Sequence, residues 1–150
     1  MTDVVRILQD FSTAKNYKFT YGRKAVLNLL DNGSLFDGDP DSTYMLLEYR
    51  KIKPVKNATE TGIKGINYEG LFYLVKQSDL DQNFFDEVGT EASGKYTNNI
   101  EPLLAILSEL DIHFSCSINT YETLVADDIT EFLDANMDGL MVNFKIYVPQ

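Results

Sequence analysis

The chain has 150 residues, enough for one domain spanning 1–150, with 44% hydrophobic residues and 18 Phe and Tyr together to build one core. Its 23 acids against 13 bases give a net charge of −10, which disfavours nucleic-acid binding because Lys and Arg supply the counterion release that drives it. One cysteine (Cys116) and one histidine (His113) exclude an internal disulfide and a Cys/His metal cluster, and no apolar run reaches the roughly 20 residues that cross a bilayer.

The start lacks the basic and apolar regions of a secretory signal. Val4, Ile7, Leu8 and Phe11 recur at helical spacing, with Thr2 or Asp3 as the cap. Residues 19–22, Phe-Thr-Tyr-Gly, read as a short extended piece. A second helix is predicted over 23–30, ended by Asp31-Asn32-Gly33. Residues 44–52 read as a strand with Met45, Leu47 and Tyr49 on one side. Residues 53–65, with Pro54, Gly62 and Gly65, read as an exposed connection, and 66–76 as a strand with Ile66, Tyr68, Phe72 and Leu74 facing one way. Residues 78–96 are acidic and glycine-containing, which predicts a loop.

Asn98 with Glu101 three residues later matches a capping box. Pro102 suits a first helical turn, and Ile100, Leu103, Leu104, Leu107 and Leu110 mark a third helix. Two segments alternate with period two. Ile112, Phe114, Cys116 and Ile118 predict one strand with a buried thiol; Leu140, Val142, Phe144, Ile146 and Val148 predict the last. Residues 125–139 between them read as a connection, helical at 129–133. The expected fold is α+β, an antiparallel sheet of about four strands packed against about three helices.

Two acidic loops imitate calcium loops. Asp134, Asn136, Asp138 and Gly139 begin one, but its twelfth position is Lys145. Asp37, Asp39, Asp41 and Glu48 fit another, but Ser42 stands where the turn needs glycine. Both read as turns. His113 has no nucleophile elbow to serve, and phosphate-cradling glycine motifs are missing. The expectation is no catalytic residue, no metal and no cofactor. A hydrolase using Asp127, Asp128 and Asp134 is the catalytic rival; it would need a deep pocket on paired acids.

The charge is segregated. Arg50, Lys51, Lys53, Lys56 and Lys64 lie within fifteen residues that hold one acid, Glu60. Asp79, Asp81, Asp86, Glu87 and Glu91 form a run without a base. Complementary patches that cannot meet within one chain are what a head-to-tail contact between copies needs, so these ten residues are the candidate protein interface, with the acids after Ala126 as a second receptor.

The order of features, from the first helix through Phe19-Thr20-Tyr21-Gly22, Leu29-Leu30, the helix at 100–110 and the turn Asp138-Gly139 into the last strand, resembles the tail-completion, tail-terminator and head–tail connector proteins of tailed bacteriophages. That resemblance implies a virion protein of the neck or tail. It would form a cyclic homo-oligomer beside portal, neck or tail proteins, with DNA passing through unbound and no membrane involved. The alternative is a small cytosolic ligand-binding or regulatory domain of a host bacterium.

Overall fold

The computed structural model describes residues 2–23, 38–59, 61–78, 94–132 and 136–150. Among them helix α1 (Val4–Ala14) leads to strand β1 (Lys18–Tyr21), then β2 (Tyr44–Lys56) and β3 (Ile63–Gln77) form a hairpin. A π-helical turn (Tyr96–Ile100) opens into helix α2 (Glu101–Ser115), followed by β4 (Thr120–Phe132) and β5 (Met137–Pro149). The fold is α+β. Five strands make one sheet in the order β1-β2-β3-β5-β4.

The sheet is mixed rather than purely antiparallel, because β1 runs parallel to β2, pairing Lys18 with Tyr44 through Tyr21 with Leu47. The other three pairings are antiparallel. Two α-helices stand among the described residues; the helix expected over 23–30 lies almost wholly outside them.

The largest corrections concern residues 112–139. Ile112 to Ser115 are the last turn of α2, not a strand. Phe114 continues the stripe of Leu103, Ile106 and Leu110, and these four are the buried side chains of the helix. Ile112 and Ile118 are exposed, as is the Cys116 thiol. The helical stripe and the alternating run share Phe114 alone, and Ile112 stands on the solvent side of the helix. The predicted connection at 125–139 is instead mostly the edge strand β4. Its β-branched Thr123, Val125, Ile129 and Thr130 suit a strand, but register shifts between Thr123 and Val125 and between Ile129 and Phe132 break its alternation.

The capping box is also replaced. Backbone at 96–100 is already helical, and Ile100 precedes α2 without a side-chain cap. At the other helix Asp3 is the cap, its Oδ1 accepting from the Val5 N–H at 2.9 Å.

Leu140, Val142, Phe144, Ile146 and Val148 are buried on the face covered by α1 and α2, together with Met45, Leu47, Tyr68, Phe72 and Leu74. Phe72 and Phe144 meet at the centre with their rings tilted by 41° and centroids 5.3 Å apart. Tyr44, Leu46, Tyr73, Val75 and Met137 form a second buried cluster. The strand predicted at 44–52 runs four residues further, and much of the predicted connection is the outer part of the β2–β3 hairpin, whose strands end at Lys56 and resume at Ile63. There the Asn57 N–H donates to the Gly62 carbonyl at 2.9 Å.

No helix among the described residues is long and apolar enough to cross a membrane.

Candidate assembly interface

The basic cluster falls on this hairpin, but its members differ in what they touch. Arg50 is engaged within the chain: Nε donates to Asp3 Oδ1 at 2.8 Å, Nη2 to Asp3 Oδ2 at 2.6 Å, and Nη1 to the Tyr21 hydroxyl at 3.0 Å. The Asp3 carboxyl is held below its ordinary value, first by that hydrogen bond, with partial burial opposing it. Lys53 pairs with Glu69 across the hairpin, Nζ to Oε2 at 2.6 Å. Lys51, Lys56 and Lys64 are exposed and make no ion pair among the described residues.

The strand register sets one of them into a row. Lys51 on β2 lies opposite Glu69 on β3, Glu69 opposite Lys145 on β5, and Lys145 opposite Glu122 on β4. Signs alternate across the sheet, a favourable arrangement for cross-strand neighbours. The row begins with a base at the β2 side and ends with an acid at the β4 side.

Of the predicted acidic partners, Asp79, Asp81, Asp86, Glu87 and Glu91 lie outside the described residues. The second choice, the acids after Ala126, falls on the edge strand. Asp127 and Asp128 are exposed on β4, on the opposite side of the sheet from β2. With Glu122 they give β4 three acids without an ion-pair partner among the described residues, and the strand contains no base. Glu122 was not singled out in the sequence, because its segment carries no regular alternation.

The fourth acid of β4, Glu131, belongs to a separate polar cluster. Lys95 is buried and places Nζ 2.8 Å from Glu131 Oε1. The Glu131 N–H donates to Asp138 Oδ1 at 3.0 Å, and Asn99 Nδ2 donates to Asp138 Oδ2 at 3.0 Å and to the Gln77 carbonyl at 3.2 Å. Asp138 is fully buried. Its oxygens meet an amide and a backbone donor, so the cluster pins the π-helical turn to the end of the sheet and offers no nucleophile–base pair.

His113 is exposed at the end of α2, its ring 5.2 Å from that of Phe11. Asp37 and Asp134, from the two imitated calcium loops, lie outside the described residues; among the described residues no group of three His, Cys, Asp or Glu could hold a metal. A polar cleft of about 440 Å³ is lined by Lys15, Tyr17, Lys18, Asp39, Asp41 and Thr43, among others. A smaller one, about 160 Å³, lies between Tyr49, Lys51, Glu69 and Leu124. Neither is lined by Asp127 or Asp128. No family model, no curated protein and no solved structure matches the chain.

Proposed function

We propose that this chain is a structural subunit that assembles with copies of itself into a ring at the head–tail junction of a tailed phage. The observation that carries the self-assembly is the opposite charge of the two sides of one sheet, basic on the outer part of β2 and acidic on β4. Two different and complementary surfaces on one subunit make a head-to-tail contact, which closes into a ring when the rotation between copies allows it. The phage setting rests on the resemblance in element order. Net negative charge suits a subunit beside a DNA passage, since like charge removes non-specific affinity. Portal, neck or tail proteins are its neighbours in this reading.

Sedimentation of the purified chain at low and high ionic strength, with negative-stain imaging, tests it. The expected result is a cyclic species that weakens as salt rises. A chain that stays monomeric across concentration and ionic strength overturns the reading.

A further inference from the structure

The hairpin and the β4 edge offer each other more than charge. Among the described residues β4 has a strand neighbour on one side only, β5, and its backbone makes no backbone–backbone hydrogen bond beyond that ladder. A thirteen-residue edge with no strand partner on its outer side among the described residues is a template for another chain. Leu124 and Val125 are 47% and 52% exposed at its middle, between Glu122 and Asp127. The hairpin mirrors this: Ile52 and Ile63 are 51% and 48% exposed, flanked by Lys51, Lys53, Lys56 and Lys64. An apolar centre with a charged rim is the usual anatomy of a protein interface.

We propose that the outer hairpin of one copy, residues 51–64, seats on the outer edge of β4 of the next. Ile52 and Ile63 then meet Leu124 and Val125, and Lys51 and Lys56 face Glu122, Asp127 and Asp128. This deepens, and rests on, the self-assembly reading above.

The topology allows the contact. β2 and β4 run in opposite directions, being separated by three successive antiparallel steps. A copy added head to tail with its strands aligned therefore brings β2 antiparallel to β4. The outer side of β2 is occupied up to Tyr49: β1 pairs as far as Leu47, the Gly22 N–H donates to the Leu47 carbonyl, and Arg23 lies over the Tyr49 ring. Pro54 has no N–H to donate. Backbone pairing is thus confined to a few residues from Arg50, and side chains make most of the contact. Like-with-like pairing is opposed at both ends, since β4 against β4 sets acids against acids and hairpin against hairpin sets bases against bases. Only the unlike pairing brings opposite charges together: antiparallel to β4, the outer part of β2 sets Lys51 at the Asp127 and Asp128 end of that strand and Lys56 toward Glu122.

Two double variants test the contact, Lys51→Glu with Lys56→Glu and Asp127→Lys with Asp128→Lys. All four positions are exposed, so each variant should stay folded, with a small drop in melting temperature for Lys51→Glu, which sets an acid opposite Glu69. Each variant alone sets like charges across the contact, and each should sediment as monomer where the parent assembles. An equimolar mixture restores net opposite charge at every junction and should assemble again as alternating copies. If either variant assembles like the parent, or the mixture stays dissociated, the hairpin–β4 contact is wrong while self-assembly stands. If the parent itself never assembles, the reading beneath it is wrong.

Discussion

Arg50 grips Asp3 with a two-pronged fork, Nε to Oδ1 at 2.8 Å and Nη2 to Oδ2 at 2.6 Å, so a base from the middle of β2 holds the residue that caps α1. Asp3 Oδ1 also accepts from the Val5 N–H. One carboxylate therefore satisfies an orphan amide of the helix end, meets the positive end of its dipole and fixes the helix to the strand beneath. The pair explains why a base in the charged cluster is only partly exposed. Arg50 secures the fold, while Lys51, Lys56 and Lys64 make no ion pair among the described residues.

Removing the cap should loosen α1. Asp3→Ala should cost about 1–2 kcal/mol in chemical denaturation, the usual range for losing a side-chain cap. Asp3→Asn keeps an acceptor for Val5 and loses the charge, so its cost should be smaller. The folded-state acidity of Asp3 lies below its ordinary 3.8, chiefly through the Arg50 hydrogen bond. Its stabilisation should therefore be complete above pH 3.8 and be lost as pH falls through the lower folded value. Arg50→Gln should flatten that acid dependence, and an unchanged slope in stability against pH would refute the coupling.

Phe144 is fully buried against Phe72 at the centre of the core. Phe144→Ala should cost about 3–5 kcal/mol by opening a cavity, read as a lower denaturation midpoint with little change of slope. A loss under about 1 kcal/mol would mean that the surrounding side chains collapse into the space.

The last strand and the first helix were legible because each keeps one period over its length. Val4, Leu8 and Phe11 repeat every turn, and Leu140 to Val148 alternate without interruption into one core face. β4 was illegible for the opposite reason: two register shifts reset its alternation, and an edge position leaves most of its side chains in solvent. The segment 112–118 misled because a short alternating run overlaps a helical stripe, and Leu110 to Phe114 is a four-residue step that also fits a helix. The basic cluster was visible as composition, but its division into Arg50, Lys53 and three lysines without an ion pair among the described residues depends on Asp3 and Glu69, which are 47 and 16 residues away in sequence. The receptor edge needed the sheet order, which places residues 120–132 opposite the hairpin side.

Gly139 sits where two strands approach closely. A β-carbon there would collide with the Leu74 carbonyl and with the Val75 side chain and Cα. Backbone cannot move aside as a flexible side chain can, so Gly139→Ala should destabilise by about 1–3 kcal/mol, the range for overpacking. Gly62→Ala, at the hairpin turn, meets only the Asn57 amide at ordinary contact distance and serves as the mild control. Equal melting temperatures for the two variants would contradict the strand packing around Gly139.

Alkaline pH should unfold the chain through its buried phenols. Burial pushes the Tyr121 hydroxyl up to about 12, with the nearby Asp111 charge adding and a hydrogen bond with Thr123 opposing. Tyr73 rises to about 12, again through burial first and then through its hydrogen bond to Glu48, Oη to Oε2 at 2.9 Å. Burial and the Glu109 carboxylate push Tyr17 up in the same way. Because these folded values lie above the ordinary 10.0, the folded state keeps protons that the unfolded chain would release. The stability they contribute is complete below pH 10 and is lost as pH rises toward the folded values. Tyrosinate absorbance should therefore rise in two stages, exposed tyrosines first and Tyr17, Tyr73 and Tyr121 only as the fold opens. Tyr121→Phe removes a phenol without removing its ring from the stack on Phe114, whose centroid lies 5.4 Å away. That variant should carry the alkaline unfolding midpoint to higher pH than in the parent. A single absorbance step near pH 10 with the fold intact would show that these hydroxyls reach solvent freely, against the packing described for Tyr121 and Tyr73.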